Sequence, residues 1–203
     1  NIPNIQQAMS VFVAEELSEV LNTKVVIGRI NMGLLNRIII DDVLLDDQSG
    51  QEMLKVTRLS AKFDIMPFFK GKISISSVQL FGFNINLRKE TPDSPPNFKF
   101  VLDAFASKDT VKKENSLDLR INSILIRRGR MSYHVLSEEE TPGKFNAKHI
   151  QLQNIIANIS LKALSKDSLN LGIKRLSLDE KASGFSLKKM SLKLVANNKQ
   201  TNI

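Results

Sequence analysis

Apolar and polar residues alternate with a period of two along most of the chain, and the alternation repeatedly slips by one residue. Residues 73–87, ISISSVQLFGFNINL, show the slip: Ile73 and Ile75 share one face of a strand, and Val78 and Leu80 resume one residue late. With h for an apolar residue, the pattern h-x-h-x-x-h-x-h occurs at Val25/Ile27/Ile30/Met32, Ile38/Ile40/Val43/Leu45, Leu54/Val56/Leu59/Ala61 and Ile73/Ile75/Val78/Leu80. It recurs at Leu119/Ile121/Ile124/Ile126, Phe145/Ala147/Ile150/Leu152, Leu171/Ile173/Leu176/Leu178 and Phe185/Leu187/Met190/Leu192. The copies are unevenly spaced, so no strict solenoid period exists, but alternation of this kind predicts strands.

Three arrangements produce such a slip. A two-residue hairpin at Ser76–Ser77 leaves very short arms and lacks the Asn-Gly or Gly-rich pair that such turns favour. A strand crossing between two covered faces tends to read as a continuous apolar run. A β-bulge absorbs one residue, returns Val78 and Leu80 to the face of Ile73 and Ile75, and adds twist. The bulge fits best. Gly82 before Phe83, Ile85 and Leu87, and Gly129 before Met131 and Tyr133, allow further slips, because glycine inside a strand marks bends. Kinks at similar heights in neighbouring strands curl a sheet into a trough.

Two segments leave this rhythm. Residues 2–22 carry Ile5, Met9, Phe12, Val13, Leu17, Val20 and Leu21 at three- and four-residue steps, with Pro3 near the start and Glu15, Glu16 and Glu19 on the polar side. That spacing predicts an amphipathic helix. After a turn-rich stretch at 91–96, Asn97 is placed to cap a short helix with an apolar stripe of Phe98, Val101, Leu102 and Phe105. The expected organisation is an N-terminal amphipathic helix over 1–23, a first β segment over 24–91, a linker with the short helix over 92–115, and a second β segment over 116–203 continuing the same sheet. The fold class is mainly β: a curved antiparallel β-sheet forming a groove, a half-barrel or taco, with two helices.

The apolar face of so many strands exceeds what two helices cover. Either the sheet closes on itself as a β-sandwich, or part of it lines a groove that something else occupies. Acyl chains suit a groove, since each CH2 moved out of water gains about 0.8 kcal/mol. The groove positions expected to contact them are Ile73, Ile75, Val78, Leu80, Leu119, Ile121, Ile124 and Ile126.

Composition narrows the classes further. The chain has 203 residues, a net charge of +8, 42% hydrophobic residues, no Cys, no Trp and one Tyr. Without Cys there are no disulfides, zinc-thiolate sites or thiol nucleophiles. The positive charge favours anionic partners, but dispersed lysines and few aromatics argue against nucleic acid. Lys24, Arg29, Arg37, Arg127, Arg128 and Arg130 are expected at strand ends, as ordinary surface cations or as contacts for anionic headgroups worth about 1 kcal/mol each. No apolar run approaches the roughly 20 residues that span a bilayer. A start at Asn1 and a polar end point to a piece of a longer protein.

Several stretches resemble a known family. LNTKVVIGRI from Leu21, IIIDDVLLDD from Ile38 with Gly50 after it, and the strand at 73–80 are similar to the start of AsmA-like/TamB proteins of bacterial envelopes. NFKFVLDAF from Asn97, Tyr133 followed by FNAKHI from Phe145, and LSLDEKASGFSL from Leu176 resemble TamB-type proteins of Bacteroidetes, the EKASGF segment being the most specific. The resemblance implies an inner-membrane anchor before Asn1, a periplasmic β structure with an apolar groove of the chorein-like bridge type, and a TamA-type outer-membrane barrel met by a C-terminal part that this chain lacks. It also implies a role in phospholipid movement between membranes or in outer-membrane protein assembly. A closed β-sandwich serving as a structural or protein-binding module in that assembly is the alternative.

Catalytic chemistry is not visible, and no cofactor is expected. Asp41, Asp42, Asp46 and Asp47 lack the alternating ligands and final bidentate carboxylate of a calcium loop and read as a solvated turn. Glu138, Glu139 and Glu140 read as a solvated run in a Pro-Gly loop. His134 and His149 have no partner at ligand spacing and read as separate strand or surface histidines. No metal site and no hydrolase or phosphate-binding motif is expected.

Overall fold

The computed structural model describes residues 2–34, 36–63, 73–106, 117–118, 122–164, 168–197 and 201–202. In chain order the elements are α1 (Ile2–Leu21), β1 (Val25–Gly33), β2 (Arg37–Asp46), β3 (Glu52–Phe63), β4 (Ile73–Lys89), α2 (Lys99–Ala106), β5 (Leu117–Asp118), β6 (Ser123–Val135), β7 (His149–Leu164), β8 (Ser168–Glu180), β9 (Ser186–Asn197) and β10 (Thr201–Asn202). The protein is mainly β. Its strands form one curved, open sheet in the order β1-β2-β3-β4-β6-β7-β8-β9-β10, with β5 beside the start of β4.

All neighbours pair antiparallel except at β4, which runs parallel to β5 and β6. The expected antiparallel sheet therefore has one parallel seam. β6 begins at Ser123 beside Ser77, near the start of β4, so the two long strands run parallel, and a parallel pair needs a long crossover such as residues 90–122 provide.

The side chains on one face form continuous rows across the sheet. One runs Met32, Ile38, Ala61, Val78, Ile124, Ile159, Ile173, Leu192, each the register partner of the next. The adjoining row is Ile30, Ile40, Leu59, Leu80, Ile126, Ala157, Leu176, Met190. Then β1, β2, β3 and β4 change step together. Beyond the step, Ile27, Val43, Val56 and Phe83 are partners, and so are Gly129 and Ile155. Asp42, Gly82, Arg128 and Asn154 sit at the slips of β2, β4, β6 and β7 with φ between 53° and 64°, the left-handed region that turns a strand out of its plane. From β1 to β4 the register passes this level without a shift. From β6 to β9 the slips are staggered, between Ile126 and Gly129 in β6, Leu152 and Ile155 in β7, and Ile173 and Leu176 in β8, and the register shifts at these places.

The slip at Ser76–Ser77 is a different device. Lys62 pairs with Ser77 and Phe63 with Ile75, so Ser76 is an extra residue in β4 opposite β3, a true bulge. In β4 the step shared with β1, β2 and β3 falls at Gly82, giving the phase Val78/Leu80/Phe83/Ile85. In β6 the slip gives Ile124/Ile126/Gly129/Met131. Phe145 and Phe185, expected to open strand motifs in β7 and β9, lie outside both strands and are 62% and 57% exposed.

Gly129 occupies an inward position that would otherwise hold a large side chain. The Phe83 ring takes that space: a Cβ on Gly129 would lie 2.3 Å from Phe83 Cε1 and 3.0 Å from Ile155 Cβ. Phe83 and Ile155 are buried with Val56 as the centre of a core over the bend.

α1 packs on β1 through Val13, Ala14, Leu17 and Leu21, and Ser10 is buried beside them. The expected stripe is therefore rotated, with Phe12 and Val20 facing outward and exposed. Ser18 fixes the helix end, its hydroxyl donating to Ala14 O and accepting from Val25 N–H. Phe98, just before α2, and Phe100, Val101 and Ala104 within it join the same cluster. Asn97 does not cap α2; its side chain accepts from Arg88 N–H and donates to Asp47 and Asn86 O.

Gly129→Ala is expected to lower stability to urea by about 1–3 kcal/mol, the range for overpacking, and Phe83→Leu is expected to relieve most of that cost in the double variant. Equal losses in both backgrounds would show that the Phe83 ring is not what the added methyl meets.

Candidate functional site

Val78 and Ile124 are register partners, as are Leu80 and Ile126, across the parallel seam between β4 and β6. The structure thus brings these four expected groove residues together in the two rows beside the bend. All four are half-buried. Ile73 and Ile75 lie on β4, whose backbone is described there without its side chains, and Leu119 and Ile121 lie outside the described residues. Ile30, Ile40, Leu59 and Leu176 extend the same surface onto other strands. Their motif copies carried that signal, and it becomes a site only once the register aligns them.

Among the described residues, α1 and α2 cover this apolar face only at one corner, over Val25, Ile27, Ile30, Leu45 and Met53. Away from that corner Val56, Phe83, Ile155 and Ala157 are buried, and Met32 at the margin is 66% exposed. Among the described residues the strands form a single sheet, and only neighbouring strands of that sheet touch. Such a surface offers dispersion contacts and exclusion of water, which suits hydrocarbon.

The covered end is tied by a polar knot. Asp47, expected in a solvated turn, is 2% exposed. Its carboxylate accepts from Ser49 N–H and Oγ at 2.9 and 2.6 Å, from Gln51 N–H, and from Asn97 Nδ2 at 3.1 Å. It also pairs with Arg88 at 2.6 Å. Burial pushes this carboxyl up, but the hydrogen bonds from Ser49, Asn97 and Gln51 outweigh it and hold the group below the usual range. Thr23 donates to Asp46 O and Asp47 O, and Gln48 donates to Leu21 O, so the end of α1, the β2–β3 turn and α2 close together. The buried charge is paired and hydrogen-bonded, as a buried charge must be.

Glu180 does the same for the β8–β9 turn. It is 3% exposed and accepts from Ser183 Oγ and N–H, from Ala182 N–H at 3.2 Å and from Gln151 N–H at 3.2 Å. Gly184, at φ 73°, lets the chain turn here. Burial alone would raise the Glu180 carboxyl, yet these bonds together bring its pKa down to about 2. EKASGF is therefore a turn motif, with Glu180 satisfying the donors of the residues after it.

The opposite face is charged along the bend. A two-residue step sends both intervening side chains outward, and in this chain they include Arg29, Arg58, Arg127, Arg128, Lys174, Arg175, Lys188 and Lys189, all exposed. Arg29, Arg127 and Arg128 thus stand in mid-strand, not at strand ends. Asp41 and Asp42 are the acidic members of this ridge. Asp41 pairs with Arg58 at 2.6 Å, and Arg128 lies over the Phe81 ring at 5.3 Å. A concavity opens there whose walls are mixed, charged at Arg29, Asp42, Arg58 and Arg127 and apolar at Leu80, Phe81 and Leu125.

His134 and His149, expected to stand apart, are register partners in β6 and β7, with their Nδ1 atoms 3.0 Å apart. The hairpin register brings together what spacing in the sequence does not. No family model matches the chain, and no curated protein matches it either.

Both buried carboxylates have lowered pKa values, so the stability they supply is present above their ordinary values and lost as pH falls. For Glu180 the loss is expected between about pH 4.5 and about pH 2, and Glu180→Gln is expected to be less stable at pH 7 with a shallower decline in acid, as followed by circular dichroism. An unchanged acid profile in the variant would contradict this role. Along the ridge basic side chains outnumber acidic ones, so raising NaCl from about 10 to about 300 mM, which shortens the Debye length from roughly 30 Å to under 10 Å, is expected to raise Tm. A falling Tm would show that the Asp41 and Asp42 attractions dominate.

Proposed function

We propose that this protein is a non-enzymatic groove for the acyl chains of phospholipids. The observation that carries the reading is the pair of apolar rows crossing eight strands of an open sheet, with α1 and α2 over only one corner and Val78, Leu80, Ile124 and Ile126 half-buried. An apolar face of this breadth is unusual on a soluble surface unless it has an occupant. A row of aliphatic side chains, without polar groups that select a headgroup, favours the hydrocarbon portion. Val78, Leu80, Ile124 and Ile126 line the path and do no chemistry.

The resemblance to AsmA-like/TamB proteins supports placing this groove in the periplasm of a Gram-negative bacterium. There it would be held to the inner membrane by an anchor outside these residues and work in inter-membrane lipid transport or outer-membrane biogenesis. No described helix is long and apolar enough to cross a membrane.

Protein purified from a Gram-negative host without detergent, extracted with organic solvent and analysed by mass spectrometry, is expected to yield phospholipid. Ile124→Glu is expected to retain strand content by circular dichroism while losing bound lipid by roughly tenfold or more, because an unpaired carboxylate is costly to bury against hydrocarbon. Lipid-free native protein, or full lipid occupancy in a folded Ile124→Glu variant, would overturn the reading and leave an interaction module in its place.

A further inference from the structure

At the end of the β6–β7 hairpin, three donor atoms from distant positions converge. His134 Nδ1 and His149 Nδ1 are 3.0 Å apart. Glu140 Oε1 lies 3.7 Å from the first and 3.9 Å from the second. We propose that His134, His149 and Glu140 form a binding site for a first-row divalent transition ion, of which Zn2+ is the best fit.

Size is the first argument. In a triangle with those sides, the point equidistant from all three atoms lies about 2.1 Å from each, the ordinary length of Zn–N and Zn–O bonds. An ion enters with only a small opening of the two imidazoles, since tetrahedral coordination needs nitrogens slightly over 3 Å apart. The donor set is the second argument. Two imidazoles and one carboxylate make a borderline N2O set, which suits zinc and its neighbours and not the hard, oxygen-seeking Ca2+ or Mg2+. Three protein ligands leave a fourth position for water.

The surroundings supply the third. His149 Nε2 lies 2.9 Å from Glu138 O. A carbonyl oxygen only accepts, so Nε2 carries the proton and Nδ1 presents its lone pair toward His134. This is how a metal-bound histidine is usually fixed, its second nitrogen donating to a backbone carbonyl or carboxylate. His134 Nδ1 then donates to His149 Nδ1 when no ion is bound. On metal binding the His134 proton moves to Nε2 through solvent, and a neutral pair loses no proton overall. His149 is buried and backed by its own N–H to Asn146 O at 3.0 Å. Lys148 is engaged by the Glu138 carboxylate at 2.6 Å rather than by Glu140.

By the alternation of strand side chains, this pair points to the face opposite Tyr133 and Ile150, away from the apolar rows. Its occupancy is therefore independent of the lipid reading. A bound ion would clamp the loop between β6 and β7, drawing exposed Glu140 onto the hairpin and raising stability by mass action.

Isothermal titration of the full 203-residue chain with ZnCl2 at pH 7.5 is expected to show one saturable site, with no comparable heat for MgCl2 or CaCl2, and zinc is expected to raise Tm. His134→Ala and His149→Ala are expected to weaken zinc binding by at least about 100-fold, since losing a residue that only orients a metal ligand already costs about 10–100-fold. Glu140 is 62% exposed, so Glu140→Gln leaves folding intact and keeps the test sharp if a histidine variant does not fold; it is expected to weaken binding about tenfold or more. Absence of saturable zinc binding, or binding unchanged in Glu140→Gln and in the folded histidine variants, would overturn the proposal.

Discussion

The structure depends on one geometric constraint: strands in a ladder bend together or lose their hydrogen bonds. A lone extra residue in one strand makes a bulge, as at Ser76, and shifts its register against one neighbour. When neighbouring strands insert the residue at the same height, the ladder survives and the bend becomes a property of the sheet. Asp42, Gly82, Arg128 and Asn154 mark the slips of β2, β4, β6 and β7 by their positive φ. Asn, Asp and Gly accept that conformation readily, whereas Arg128 does so under strain, held by the strands on either side.

The bend separates two surfaces of opposite character. On one, the step returns each apolar side chain to its row, so hydrocarbon is continuous from β1 to β9. On the other, both residues of the step face water, and the sequence fills them largely with arginine and lysine. A patterned strand thus produces the apolar rows and the charged ridge by the same slip. The ends of strands carry a third kind of chemistry: Asp47 and Glu180 are buried carboxylates that gather the donors of turns. Each is held by several hydrogen bonds, and Asp47 by an ion pair as well, so each fixes a connection that propensity alone leaves loose.

Much of the fold is legible in the sequence because period two and its slip are local. β1, β2, β3 and β8 follow the pattern in the phase that the chain displays. β4 and β6 admit two phases, since apolar residues stand on either side of two possible slips, and only pairing with β3 and β7 decides which slip each strand takes. Phe145 and Phe185 imitate strand positions from within turns. The parallel seam is invisible for a different reason: the direction of β6 follows from the path of residues 90–122, which no local pattern encodes. Side-chain partnerships across long separations were equally hidden. The burial of Asp47 requires Arg88 and Asn97, and the meeting of His134 with His149 requires the hairpin register. That Val78, Leu80, Ile124 and Ile126 share one face was legible, because alternation places them there whichever phase is chosen.

The central claim is that this face, and not its reverse, holds lipid chains. A photoreactive amino acid placed at Leu80, or one residue away at Gln79 on the opposite face, in cells labelled with 32P-phosphate tests it most directly. The account predicts radiolabelled phospholipid adducts at position 80 upon irradiation and none at 79. Equal labelling at both positions, or labelling at neither in a correctly folded protein, would contradict it.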